Sequence, residues 1–380
     1  MKSREAPRSH HLEPTLPIHK VNQLRILKEW FTGKWIVNFP LLTILLTVGW
    51  LNAACAQDTN TCRVLLKEMI FTEAPFQQCH ASTLTDLGKG KIMAAWFGGS
   101  YEGAKDVCIW ASIKQNNTWC PPYKIVCGDV SDTLHYACWN PVLFYPDNKT
   151  LLLYYKVGPS PREWWGMSVT SSDNGKSWSK PKHLEGILGP IRNKPIILAP
   201  GIWLNPSSTE TMDRWKAFIE RSADQGTTWE VIPIDTGNLI KVIQPALLVY
   251  PGRKIQALCR SNQNYIQESW SFDDGKHWTP LKKTNILNPN AAIDAITLHS
   301  GIQLLVYNPM PSGKEWVNGR TQLSVAISRD GTRWIKILDL ENEPTGEFSY
   351  PAIIQSSDDL VHISYTHNRT TIKHVVLKFN

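Results

Sequence analysis

Six short stretches decide the fold: His80-Ala-Ser-Thr-Leu84, Asn140-Pro-Val-Leu-Phe144, Lys194-Pro-Ile-Ile-Leu198, Gln244-Pro-Ala-Leu-Leu248, Asp294-Ala-Ile-Thr-Leu298 and Tyr350-Pro-Ala-Ile-Ile354. Each is a polar residue, then Pro or Ala, then mostly apolar residues, and the copies begin 50 to 60 residues apart. Most are followed by a turn and a second apolar run, such as KIMAAWFGG (91–99), TLLLYYKVG (150–158) and LVHISYTH (360–367); the third copy has the weakest second run. Short strands repeating at this period imply a β-propeller with one blade per copy. The expectation is an all-β, six-bladed propeller whose innermost strands start with the polar residues. His80, Asn140, Lys194, Gln244, Asp294 and Tyr350 would then ring one mouth of the central channel, joined by Lys156, Arg260, Asn308 and His367 from the ends of the second strands.

Around these stretches lies a second repeat. Ser171-x-Asp173-x-Gly175-x-x-Trp178 recurs as Ser222, Asp224, Gly226, Trp229 and as Ser271, Asp273, Gly275, Trp278. Ser328, Asp330, Gly331 and Trp334 give a copy one residue shorter, and Ser112 to Trp119 keeps only the ends. The residue types describe a stapled turn: Asp accepts from backbone amides, Gly supplies positive φ, and Trp packs between blades. One carboxylate per turn is too few oxygen ligands for calcium. The strand Cys62–Phe71 precedes the first repeat. It is expected to pair with 372–379 and close the ring, which removes open sheet edges.

Composition narrows the classes. The 380 residues carry a net charge of +7, of which residues 1–34 hold seven Lys or Arg and three Glu, a local +4 that leaves +3 for the rest. Residues 1–34 lack periodicity and read as a disordered basic leader. No basic run with interleaved aromatics suggests a nucleic-acid partner. Residues 35–51 (WIVNFPLLTILLTVGWL) are uncharged, and Ala54-Cys55-Ala56 fits a cleavage site before Gln57. Residues 35–56 are therefore a signal peptide or an uncleaved signal anchor, and 57–380 the propeller. The first option gives a secreted protein, the second a type II membrane protein; both put the propeller outside the cytoplasm. Sequons at Asn116, Asn148 and Asn368 agree with export, as do the cysteines crowded between 79 and 138. No nucleotide, metal or redox motif implies a cofactor.

The Ser-x-Asp-x-Gly-x-x-Trp repeat on a six-blade pattern resembles the Asp-box repeats of the sialidase superfamily. The match covers roughly residues 65–380 and is nearest to its divergent BNR-repeat-like branch. WFGGSYEGAKDVCIW (96–110), WNPVLF (139–144), KVGPSP (156–161), LGPIRNKPI (188–196), NPNAAIDA (288–295) and GEFSYPAIIQ (346–355) carry it. The resemblance implies an exo-glycosidase acting on a terminal acidic sugar such as sialic acid. In that family three arginines hold the substrate carboxylate, a Tyr paired with a Glu attacks the anomeric carbon, and an Asp is acid/base.

Carried over, the resemblance assigns Arg260 and Arg320 to the carboxylate and Tyr350 to the nucleophile. Where the family has its first arginine the chain offers His80; where it has glutamate stands Gln244, which cannot act as a base. Glu102 and Asp106, both in SYEGAKD, compete for the acid/base role. Asp294 and Glu347 are further carboxylates that could offset Gln244. Lys194, Arg192 and Lys156 are cations that could replace the missing arginine, and Asn140 completes the ring. The Trp-rich PREWWGM (161–167) could stack on sugars or belong to the core. Two other readings keep the fold: a hydrolase or lyase acting on another acidic sugar such as a uronate, and a catalytically silent carbohydrate-binding propeller.

Overall fold

The computed structural model describes residues 62–379 apart from 199–200, 236, 238–239 and 316. The leader, the 35–51 stretch and the cleavage site lie outside the described residues. The described chain forms six antiparallel sheets, one per repeat. Blade 1 runs Gln78–Gly88, Lys91–Gly99, Cys108–Gln115, with Thr118–Trp119 and Tyr123–Val126 on its edge. The main inner strands of blades 2 to 5 are His135–Phe144, Ile196–Leu198, Val242–Val249 and Asp294–Thr297, each blade continuing outward in chain order, and in blade 2 the two-residue strand Gly128–Asp129 pairs on the inner side of His135–Phe144.

Blade 6 combines Phe348–Gln355, Val361–His367 and Thr371–Phe379 with Cys62–Met69, which pairs antiparallel with Thr371–Phe379. The first strand thus closes the ring on the last, as the sequence predicts. Each blade is buried on both faces, so its inner strands are nearly continuous apolar runs; Ile92 to Phe97 are each 3% exposed or less.

The Asp-box turns form as expected, and their amide geometry explains the spacing. Ser171 Oγ donates to Asp173 Oδ1 and accepts from Gly175 N, while Asp173 accepts from the amides of Lys176 and Ser177. The turns of blades 2, 4 and 5 are fastened to the preceding blade. Tyr123 Oη of blade 1 donates to the Gly175 carbonyl at 2.8 Å, Arg221 Nε of blade 3 to that of Asp274 at 3.1 Å, and Gln256 Nε2 of blade 4 to that of Gly331 at 2.8 Å.

Two expectations are corrected. The second strand of blade 3 is not weak: Ile202–Glu210 is nine residues long and pairs on both sides. Its polar residues are satisfied internally, with Ser207 Oγ donating to the Gly189 carbonyl and Asn205 Nδ2 to Glu220. The short strand of that blade is the innermost, Ile196–Leu198. The first residues of the six repeats are also not equivalent. In blades 1, 2, 4 and 6 the inner strand carries a β-bulge, and the bulged residue takes positive φ: Ala81 (56°), Asn140 (39°), Gln244 (53°) and Tyr350 (54°). The residue matching Asn140 is therefore Ala81, and His80 lies one step earlier. In blade 3 the left-handed residue is Arg192 (76°), not Lys194. The prolines following Asn140, Gln244 and Tyr350 sit inside these bulges, where no ladder amide is required.

Candidate active site

The bulges matter because they turn a side chain away from the sheet toward the channel mouth. A bulky residue at positive φ is strained, and Tyr350 is such a residue. Its ring is surrounded by cations: the guanidinium carbons of Arg192, Arg320 and Arg260 lie 5.5, 5.7 and 5.8 Å from its centroid. Arg260 Nη1 donates to Tyr350 Oη at 3.0 Å and to Gln244 Oε1 at 3.2 Å, and Arg260 Nε donates to Asn290 Oδ1 at 2.8 Å. Gln244 thus orients Arg260 beside the tyrosine.

A cavity of about 560 Å³ opens above this group, and Glu102, Arg260, Asn290, Arg320, Tyr350 and Arg369 are among its lining residues. Arg369 was not anticipated. It sits at positive φ (57°) in the turn between the second and third strands of blade 6. In sequence it is the middle residue of the Asn368-Arg369-Thr370 sequon, and no strand period marks it. It places a third guanidinium in the cavity, and that guanidinium comes from blade 6, not from blade 1 where the resemblance put the missing arginine.

Glu347 ties two of the arginines together. Arg320 Nη1 donates to it at 3.0 Å, Arg369 Nε at 2.8 Å and Ser349 Oγ at 2.9 Å. Burial pushes its carboxyl up, but Arg369 and Arg320 outweigh that and hold it below the usual range. Burial works against the charge of Arg369, yet Glu102 and Glu347 keep its guanidinium above the ordinary value. Glu102 reaches Arg369 Nη1 at 2.6 Å from the exposed 100–106 loop.

The other candidates fall elsewhere. Asp106 accepts from Ser100 N at 3.0 Å and from Ser100 Oγ at 2.5 Å; it braces the loop and does not line the cavity. Asp294 is buried and holds Lys194 Nζ at 2.9 Å and Ile353 N at 2.9 Å, so both members of the Lys194–Asp294 pair are committed to the interior. Arg192 is 1% exposed, donates to the Ser82 and Pro351 carbonyls, and is pushed down to about 10 by burial. Lys156 donates to the Pro190 carbonyl and is pushed down to about 7, by burial against the pull of Glu220. Asn308 bonds the Gln322 and Phe348 carbonyls. Asn140 is 5% exposed at its bulge. Trp164 and Trp165 pack against the core of blades 1 and 2. His80 lies beneath the tyrosine, with ring centroids 4.0 Å apart. Among the described residues, no group of three His, Cys, Asp or Glu side chains could hold a metal.

The six-bladed propeller, with arginines gathered round a tyrosine at its mouth, has the fold of the sialidases. The chain belongs to the BNR repeat-like domain family, whose model matches residues 90–363. Among solved structures it is similar to a protein of unknown function from Dyadobacter fermentans (16% identity, TM-score 0.67), with 84% of this chain and 99% of that one covered. It is also similar to the Ruminococcus gnavus intramolecular trans-sialidase in complex with oseltamivir carboxylate (12%, TM-score 0.60, covering 78% and 94%). The Trypanosoma rangeli sialidase in complex with sialic acid aligns at 17% identity and TM-score 0.59, covering 84% of this chain and 59% of that one. No curated protein matches the chain in sequence. Likeness at these identities is likeness of fold.

Proposed function

We propose that the chain is an exo-glycosidase acting on a terminal acidic sugar of the sialic acid class. The observation that carries this reading is the convergence of Arg260, Arg320 and Arg369 on one cavity beside Tyr350. Fixed guanidinium forks bind a carboxylate bidentately and exclude neutral sugars. Tyr350 meets the anomeric carbon, as nucleophile or as stabiliser of its developing charge. Glu102 protonates the leaving oxygen as the glycosidic bond breaks. Glu102 is preferred to Asp106 because it lines the cavity while Asp106 is tied to Ser100. A substrate carboxylate arriving on Arg369 would release Glu102 from its ion pair. We also propose that the site lies outside the cytoplasm. The Cys108–Cys127 disulfide and the exposed sequon asparagines Asn116, Asn148 and Asn368 support that placement.

A second reading is a silent binder of the same sugars. It is favoured by Gln244, because a carboxamide beside Arg260 and Tyr350 cannot take the tyrosine's proton. Sugar release by the full chain from a panel of sialosides and uronate glycans, with Arg260→Ala as control, decides between the two. Release that the control abolishes supports the hydrolase. Binding without release, weakened in the control, leaves the binder.

A further inference from the structure

His80 is a buried residue of the mouth whose polar atoms are unused. It is 1% exposed, and neither Nδ1 nor Nε2 has a hydrogen-bond partner. Its ring is wedged between Tyr350 (4.0 Å) and Phe97 (5.7 Å, edge-on), a position an apolar ring of similar size would fill with greater stability. A buried imidazole with both nitrogens orphaned calls for an explanation beyond packing. Burial, and then Arg369, Arg320, Arg192 and Arg260, hold it well below the ordinary histidine range. The ring is neutral there, with one N–H donor and one acceptor nitrogen, the complement of a hydroxyl group.

The surroundings show how a hydroxyl could arrive. His80 lines a small chamber with Gln78, Phe97, Tyr101, Glu102 and Arg369, which is closed to a water-sized sphere. Glu102 and Arg369 also line the main cavity, so their 2.6 Å ion pair is common to both spaces. A ligand carboxylate would compete with Glu102 for Arg369, and its success would free Glu102 to move from beside His80.

We infer that His80 is a ligand-recognition residue whose two ring nitrogens meet a hydroxyl of the acidic sugar once the sugar's carboxylate has displaced Glu102 from Arg369. This rests on the acidic-sugar reading of the cavity and adds to it a hydroxyl subsite under the 100–106 loop. The stability forgone at His80 in the free protein is then recovered as selectivity for hydroxylated anions over plain carboxylates.

The test is calorimetric titration of the full chain with N-acetylneuraminic acid, D-glucuronic acid and cyclohexanecarboxylate, the last a carboxylate without hydroxyls. In His80→Phe, affinity for the bound sugar should fall roughly 10- to 100-fold, the cost of an unmade buried hydrogen bond. Affinity for cyclohexanecarboxylate should stay within about twofold, since the guanidiniums are untouched. The variant should melt no lower than the wild type, and His80→Asn, which keeps a donor and an acceptor, should retain more sugar affinity than Phe. Unchanged sugar binding in His80→Phe overturns the inference. Parallel loss of both kinds of probe with a lowered melting temperature, or failure of the Phe variant to fold, makes the ring structural and overturns it as well. If the wild type binds neither sugar, or Arg260→Ala leaves sugar binding intact, the acidic-sugar reading falls and takes this inference with it.

Discussion

Glu347→Gln would test how the arginine cluster is held together. In the native protein the Glu347 carboxylate accepts from Arg320 Nη1 at 3.0 Å and Arg369 Nε at 2.8 Å, and its side chain is 8% exposed. Glutamine keeps the shape but turns one acceptor oxygen into a donor facing a guanidinium, and it removes the negative charge. A charge-assisted hydrogen bond contributes about 1.5 to 3 kcal/mol, and breaking a buried pair costs about 3 to 5 kcal/mol. The two bonds share one carboxylate, so their losses overlap, and we expect about 3 kcal/mol. For a chain of this size that is a fall of roughly 4 °C in Tm. The pH dependence has a definite sign. Glu347 is held below its unfolded value of about 4.3, so its stabilisation is complete above that pH and is lost as pH falls through the lower folded value. The gap between wild type and variant in urea-unfolding free energy should therefore be full at pH 6 and shrink progressively below about pH 4. A loss under about 1 kcal/mol at pH 6, or a gap that does not change with pH, would refute the view that one carboxylate neutralises both arginines.

Two further outcomes are expected. Gln244→Glu puts a carboxylate against Arg260 and next to Tyr350; if the chain is a hydrolase limited by the missing base, kcat on an aryl sialoside should rise by about 10²-fold or more, and no gain in a folded variant would separate Tyr350 from nucleophilic chemistry. Gly331→Ala should destabilise by about 2 kcal/mol in thermal unfolding, because φ is 76° there and a Cβ would stand 2.7 Å from Gln256 Oε1 and from the Trp270 ring; an unchanged Tm would show that the turn of blade 5 is not locked onto blade 4.

How much of this was legible in the sequence follows from the physics of each feature. The blade number and the ring closure were readable because apolar strand openings and Asp-box turns are local devices, each written in a few adjacent residues. The bulges were not. Whether His80 or Ala81 corresponds to Asn140 depends on where the neighbouring strand Lys91–Gly99 sets its register, and a one-residue step leaves no mark on an apolar run. The same limit explains Lys194 and Arg192, where the left-handed residue falls in the segment before an inner strand of only three residues. Arg369 was hidden for a different reason: it lies in a turn, inside a motif that reads as a glycosylation signal, and only the closure of blade 6 brings it to Glu102 and Glu347. Chemistry alone does not rank the two carboxylates, since Asp106 and Glu102 are equivalent acids until a loop fixes which faces Ser100 and which faces Arg369. The consequence reaches function. A site assembled from a register, a turn and a loop can keep its net chemistry while exchanging the positions that supply it, so the loss of an arginine at one position of a motif is not evidence that the cavity lacks a third guanidinium.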